Sequence, residues 1–185
     1  KKNAEILDIG SGTVSNINLL SKYGQLSIME PNYIAHGYLK KKYFDIDKLK
    51  VGSCPEHLEY SKKFDLVSLF DVLEHIEEDA LTLDKIYNIL NLNGYIIITV
   101  PAYQWLWSDH DIKLMHKRRY NLTQIKKIIP KNLKIEQATY FNTLLFPLAV
   151  IERIIKKTFK TKDKSDNFFI NFILKFIFKF ERKLL

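Results

Sequence analysis

The chain has 185 residues, 46% of them hydrophobic and 27% charged, proportions of an ordinary globular protein that exclude wholesale disorder and suit one domain with room for an appendage. Its single cysteine, Cys54, excludes an intrachain disulfide framework and a cysteine-based zinc site, and fits a reducing compartment. A formal charge of +8 favours acidic partners, whether nucleic acid, anionic lipid or a phosphorylated substrate, without choosing among them.

The N-terminal stretch KKNAEILDIGSG enters a strand pattern at once, with no apolar signal core, so a cytoplasmic location is expected. Short apolar runs then alternate with amphipathic stretches, which predicts an α/β fold with a doubly wound, mostly parallel sheet. EILDIG reads as the first strand, and VSNINLLSKYG as a helix burying Val14, Ile17 and Leu20 and stopped by Gly24. QLSIME is the second strand, NYIAHGYLKKKYF the second helix and KLKVGS the third strand. FDLVSLF is apolar enough for a central, doubly covered fourth strand. DALTLDKIYNILNLNG follows as a helix with Leu83, Ile86 and Leu90 inward and an Asn-Gly stop, and YIIITV is the fifth strand. Further on, Asn121 and Gln124 have the spacing of a capping box for a short helix ended by Pro130, and LKIEQATYF alternates like a later strand.

From about Asn142 the character changes. NTLLFPLAVIERIIKKTFKTKDKSDN begins apolar and ends lysine-rich, and FFINFILKFIFKFERKLL resumes with apolar residues almost all round. On a helix, Asn171, Lys175, Lys179 and Arg182 make one narrow polar stripe. The chain is therefore divided into residues 1–142 and a basic, apolar helical extension, 143–185. The extension has three readings: packing on its own domain, a homodimer contact, or attachment to an anionic membrane surface with phenylalanines down and lysines up, alone or as a cover over a lipid-like acceptor. The last is favoured, at the inner face of the membrane, because the run is too short and too lysine-punctuated for a comfortable span.

The chemistry-bearing motifs begin with ILDIGSGTVSN, where a strand ends at Asp8 and a turn using Gly10 and Gly12 lets backbone approach a ligand. An acidic side chain just before the first glycine repels a pyrophosphate and welcomes a ligand with an amino group and positive charge. Glu30, ending the next strand, is suited to accept from two ribose hydroxyls. Together they describe a nucleoside with a cationic amino-acid tail, which is S-adenosylmethionine. A nicotinamide dinucleotide is disfavoured by Asp8 and by Val14 in place of a third glycine.

From residue 5 to about residue 142 the sequence resembles class I S-adenosylmethionine-dependent methyltransferases, on ILDIGSGT, IMEP, FDLVSLFDVLEHI and LNGYIIITVPA in that order. VPAYQWLWSDHDIKLMHKRRYN followed by YFNTLLFP is similar to a bacterial and archaeal subgroup found near surface-glycan or glycolipid genes. The resemblance implies that Asp8, Gly10, Ser11 and Gly12 line the methionine part of the cofactor and that Glu30 and Pro31 hold the ribose. It puts the adenine near Gly52, Ser53 and Cys54, with Ser53 standing where many relatives carry an acid, and Asp71 and Val72 beside the methionine. It also implies a further strand after the 143–185 extension. In some relatives an acid-x-x-Glu-His cluster binds a divalent metal, and Asp71, Glu74 and His75 suit Mg²⁺ or Mn²⁺. Carboxylates at a helix start are equally ordinary capping, and no metal is expected.

The segment PAYQWLWSDHDIKLMHKRRY, 101–120, follows the fifth strand on the carboxyl side of the sheet and is expected to wall the acceptor pocket. Trp105 and Trp107 supply a dry enclosure, or anchor the loop to the core. His110 beside Asp111, or His116 with Arg118, is placed to take a hydroxyl proton. Arg118 and Arg119 are candidates to grip a phosphate or carboxylate, or to sit in local ion pairs; Tyr120 completes the candidate set, or stacks under the next helix. The expected activity is methyl transfer from S-adenosylmethionine to an oxygen of a small-molecule or lipid- or glycan-linked acceptor. The alternatives are a non-catalytic adaptor of the same fold at a membrane, and an RNA methyltransferase, disfavoured because no aromatic-basic RNA-binding module is seen.

Overall fold

The computed structural model describes residues 3–12, 16–42, 48–143, 146, 147 and 150. Val14 and residues 151–185, hence nearly all of the expected helical extension, lie outside the described residues. Among the described residues no helix is long and apolar enough to cross a membrane.

Five parallel strands form one sheet: β1 (Ala4–Ile9), β2 (Gly24–Glu30), β3 (Leu49–Val51), β4 (Phe64–Phe70) and β5 (Leu90–Thr99), ordered β3-β2-β1-β4-β5. Helices α1 (Ile17–Leu20), α2 (Tyr33–Lys42) and α3 (Asp79–Asn88) alternate with them, giving the expected Rossmann-like α/β architecture. The near-continuous apolarity of β1 and β4 has its reason here, since both strands have a neighbour on each side and apolar matter on both faces. Leu7, Ile9, Val67 and Leu69 join Leu83 and Ile86 of α3 in the larger core cluster. Ile28 packs with Ile17 and Leu39 of α1 and α2 in a second cluster. Because Asp8 is in register with Ile28 and Ser68, strand alternation puts these residues on one face of the sheet. After β5 come α4 (Asp109–Lys113) and α5 (Leu122–Ile128). The Asn121–Gln124 capping box is formed reciprocally, and α5 ends at Ile128 with an extended Ile129 directly before Pro130.

Three expectations are corrected. The α3 helix ends at Asn88, and Leu90 already opens β5, so the Asn-Gly pair is no helix stop. It lies inside the strand as a bulge: Phe64 to Leu66 on β4 faces Leu90 to Tyr95 on β5, and Asn93 takes φ 61° to absorb the excess. Helix α1 is only four residues long, and Gly24 begins β2. LKIEQATYF alternates in sequence but forms no strand among the described residues, most of its side chains being exposed.

Candidate active site

The parallel register brings the carboxyl ends of β1, β2, β3 and β4 to one edge of the sheet, where Gly10, Glu30, Gly52 and Asp71 all sit. Gly10 (φ 67°) and Gly12 (φ 55°) turn the chain out of β1 in the left-handed region that side chains resist. A Cβ on Gly10 would meet Val72 Cγ2 at 2.6 Å, so the turn is seated against the second residue past β4, whereas a Cβ on Gly12 would meet nothing within 4 Å among the described residues. Glu30, 4% exposed, holds this turn: Gly12 N donates to Oε2 at 2.8 Å and Asn32 N to Oε1 at 2.9 Å. Each oxygen keeps lone-pair capacity for a further donor.

Asp8 is fully buried. Its Oδ1 accepts from Ser68 Oγ at 2.6 Å, while Oδ2 is buried without a partner among the described residues, as is the hydroxyl of Ser11. Burial pushes the Asp8 carboxyl up to about 6 against the pull of the Ser68 hydrogen bond, with Glu30 adding to the rise. Two orphaned polar atoms beside an open glycine turn are what a missing ligand with donors of its own would satisfy. Pro31 is exposed beyond Glu30. Gly52 is buried against His57 and Met29. Ser53 is turned to its own loop, with N donating to His57 Nδ1 at 3.2 Å and Oγ to Glu56 at 3.1 Å. Burial pushes the Cys54 thiol up to about 12, which rules out a reactive thiolate. Asp71 is a non-glycine residue at φ 54°, its backbone N donating to Thr99 O at 3.0 Å and to Thr99 Oγ1 at 3.1 Å. A strained residue fixed at the end of a central strand is a common mark of a functional edge.

The 101–120 segment is organised by Asp111, which is fully buried. Ser108 and Asp111 form a second capping box that starts α4. The same carboxylate accepts from Arg119 Nε at 2.7 Å and Nη2 at 3.0 Å, and lies 3.0 Å from His116 Nδ1. Burial alone would raise its pKa; the Arg119, His116 and Ser108 hydrogen bonds outweigh that and hold it well below the usual carboxylate range. Arg119 Nη1 also reaches Ala102 O at 3.1 Å, and the segment's ends are tied by Tyr103 N to Tyr120 O at 2.8 Å and Tyr120 N to Pro101 O at 3.0 Å. Arg118 is engaged by Asp79 at 3.0 Å and Glu77 at 3.3 Å. Tyr120, 4% exposed, donates to Asp79 Oδ2 at 2.8 Å, and burial with that bond raises its pKa so far that it stays protonated. These two residues therefore fasten the segment to α3, while His110 stands exposed at the start of α4.

The segment's underside meets β4's end. Lys117 N donates to Glu74 O at 2.8 Å, which brings His116 beside Glu74 and His75 of the one-turn 3₁₀ helix Leu73–His75. Glu74 is fully buried, and burial, with Asp71 and Asp111 nearby, raises its carboxyl to about 7. Burial and His116 depress His75. On the outer side, Tyr103 stacks on Tyr140 at 5.0 Å and meets Trp105 and Phe146; a cavity of about 260 Å³ is lined by Tyr103, Tyr140, Phe141, Phe146, Ala102 and the threonines 139 and 143. Trp105 is 63% exposed and Trp107 is half-buried.

The sequence marks the glycine turn, Glu30 and the 101–120 segment as candidates; the Glu30 clamp on Gly12 and Asn32, the Tyr140 and Phe146 lining and the meeting of His75 with His116 are contacts it does not mark. The Ser-x-x-Asp spacing at Ser108 was a usable signal for the inward turn of Asp111.

The family model for the methyltransferase domain matches residues 1–137. No curated protein matches the chain. Among solved structures, phosphoethanolamine N-methyltransferase 2 of Haemonchus contortus, in complex with S-adenosyl-L-methionine, is similar at 21% identity and a TM-score of 0.59 over 86% of this chain and 40% of that one. A Bacillus halodurans protein is similar at 14% identity and 0.58, over 69% and 61%. A TehB-like S-adenosylmethionine-dependent methyltransferase of Corynebacterium glutamicum gives 19% and 0.53, over 69% and 64%. The chain thus spans about two fifths to two thirds of the structures it resembles, and the likeness is one of fold. With the family model covering well over half of its length, the chain belongs to the methyltransferase-domain family.

Proposed function

We propose that the chain is an S-adenosylmethionine-dependent methyltransferase acting on an oxygen of a small-molecule or lipid- or glycan-linked acceptor. The observation that carries the cofactor is the buried, unpartnered Asp8 Oδ2 beside the orphaned Ser11 hydroxyl at an open glycine turn. An amino group satisfies the first as a charged donor. The remaining lone pairs of Glu30 take the ribose hydroxyls, Gly52, Ser53 and Cys54 border the adenine, and Asp71 and Val72 flank the methionine. When bound, the cofactor supplies a sulfonium-activated methyl group, whose carbon–sulfur bond gives way to a carbon–oxygen bond with the electron pair left on sulfur.

The chain's own contribution is enclosure and alignment. The Asp111 hub holds the 101–120 segment together, and the aromatic groove of Tyr103, Tyr140 and Phe146 offers ring faces to an apolar or ring-bearing acceptor. Glu74, His75 and His116 are the titratable group next to the end of β4 that can act on a hydroxyl. Titration of the purified chain with S-adenosylmethionine, followed by mass-spectrometric screening of hydroxyl-bearing glycans, lipids and small molecules for methyl gain, tests this reading. No cofactor binding, or methyl gain only on nitrogen, refutes it.

A further inference from the structure

Glu74, His75 and His116 come from two segments that sequence keeps 41 residues apart, as the residue numbers 75 and 116 show. Their donor atoms lie within 4.8 Å of one another, and His116 Nε2 is 3.9 Å from Glu74 Oε1. Each donor is prepared for a cation. Glu74 is fully buried, and neither of its carboxylate oxygens has a hydrogen-bond partner among the described residues. His116 lies with Nδ1 3.0 Å from Asp111 Oδ1, so the proton belongs on Nδ1 and the Nε2 lone pair is left facing Glu74. His75 is hydrogen-bonded to the backbone of Met115, and its ring meets that of His116 edge to face, with centroids 4.8 Å apart. Asp111 is itself fixed by Arg119 at 2.7 Å, so the ring of His116 cannot swing freely. An imidazole oriented through its far nitrogen by a carboxylate is the usual support of a metal-ligating histidine. Three converging lone-pair donors, one of them a buried unpartnered carboxylate, are costly to hold together without positive charge between them.

We propose that Glu74, His75 and His116 bind one divalent transition-metal ion of the Zn²⁺ class, the three protein ligands leaving one coordination position open. Two imidazole nitrogens with one carboxylate select Zn²⁺, Fe²⁺ or Mn²⁺ over Mg²⁺ and Ca²⁺, whose sites are built from oxygens. Ligands at about 2.0–2.2 Å from such an ion stand about 3.4 Å apart, so the cluster closes by an ångström or so on loading. Resting on the oxygen-acceptor reading, an ion held there would take the acceptor hydroxyl in its open position and lower its pKa, the proton being given up to solvent before methyl transfer. Asp111 is then a positioning residue, acting through His116.

The test uses the whole purified chain, stripped with a chelator and titrated calorimetrically with Zn²⁺, and with Co²⁺ as a visible-absorbance probe of nitrogen and oxygen coordination. We expect about one equivalent bound, weakened more than about 100-fold in Glu74→Gln and His116→Ala and about 10- to 100-fold in Asp111→Asn. Adenosylhomocysteine affinity, measured on the same samples, stays unchanged. His75→Ala repeats the measurement should His116→Ala fail to fold. The proposal is overturned if the wild-type chain takes up neither ion, or if the folded variants bind as tightly as it does. Metal binding without methylation of any hydroxyl acceptor supports the site and overturns the oxygen-acceptor reading. Methylation that survives complete chelation overturns the site and leaves that reading intact.

Discussion

Replacing Glu30 by alanine removes two charge-assisted hydrogen bonds, from Gly12 N at 2.8 Å and Asn32 N at 2.9 Å. Each contributes about 1.5–3 kcal/mol, and the two losses appear in different measurements. The Gly12 bond orders the turn on which a ligand docks, so its loss appears as weaker binding, about 10- to 100-fold in Kd. The Asn32 bond fixes the entry to α2, so its loss appears in stability, about 3–12 °C in Tm for a chain of this size. Glu30→Gln keeps one acceptor but turns an amide N–H toward the other backbone N–H, and falls between alanine and wild type. Calorimetry with adenosylhomocysteine and a thermal melt on the same samples read both quantities. An alanine variant that melts lower yet binds within about twofold of wild type would make Glu30 a structural clasp only, and the ribose assignment would fall with it.

Asp8 makes stability and binding depend on pH in opposite senses. Its folded carboxyl is raised from 3.8 to about 6, so its stabilising contribution is fully present below 3.8 and is lost as pH rises through 6. The stability gap between Asp8→Asn and wild type should therefore widen in favour of the variant from about pH 4 to 6 and flatten above. Adenosylhomocysteine affinity, which needs the carboxylate for the ligand's amino group, should fall up to about tenfold per pH unit below 6 in wild type and stay flat in the variant. Asp111→Ala strands the buried Arg119 guanidinium and should cost about 3–5 kcal/mol in chemical denaturation, whereas Asp111→Leu with Arg119→Met should cost less than the single change. Gly10→Ala combines a left-handed backbone, about 1–2 kcal/mol for an L residue, with the 2.6 Å contact to Val72. Adding Val72→Ala should recover the contact and leave the backbone cost, which a double-mutant cycle of melting free energies will separate.

The strands of this fold are legible because burial on both faces forces nearly continuous apolar runs, as in ILDI and FDLVSLF. The Asn93–Gly94 pair misleads because the same residues serve helix ends and strand bulges, and only the pairing of β5 with β4 decides between them. LKIEQATYF has the period of a strand, but period alone supplies no partner edge. At the site, Asp8 and Glu30 are readable from their place at strand ends. Asp111 is not: adjacency pairs it with His110, while the turn of α4 sends its carboxylate inward to His116 and Arg119. The approach of His116 to Glu74 depends on the whole path of the intervening chain, which no local pattern records.

The Pro101–Tyr120 stretch closes on itself: its ends are bridged by backbone, and its interior is gathered on one carboxylate and one guanidinium, with Arg118 and Tyr120 both anchored on Asp79. An Ω-shaped loop with its own internal order behaves as a cassette. Residues such as Trp105, Trp107 and His110 can be exchanged on its rim without disturbing the strands that carry the glycine turn. On the proposed reading, transplanting the stretch between relatives, with the Asp79 anchor kept, is expected to carry acceptor preference along with it. Substrate range would then drift by loop replacement while the sheet stays constant.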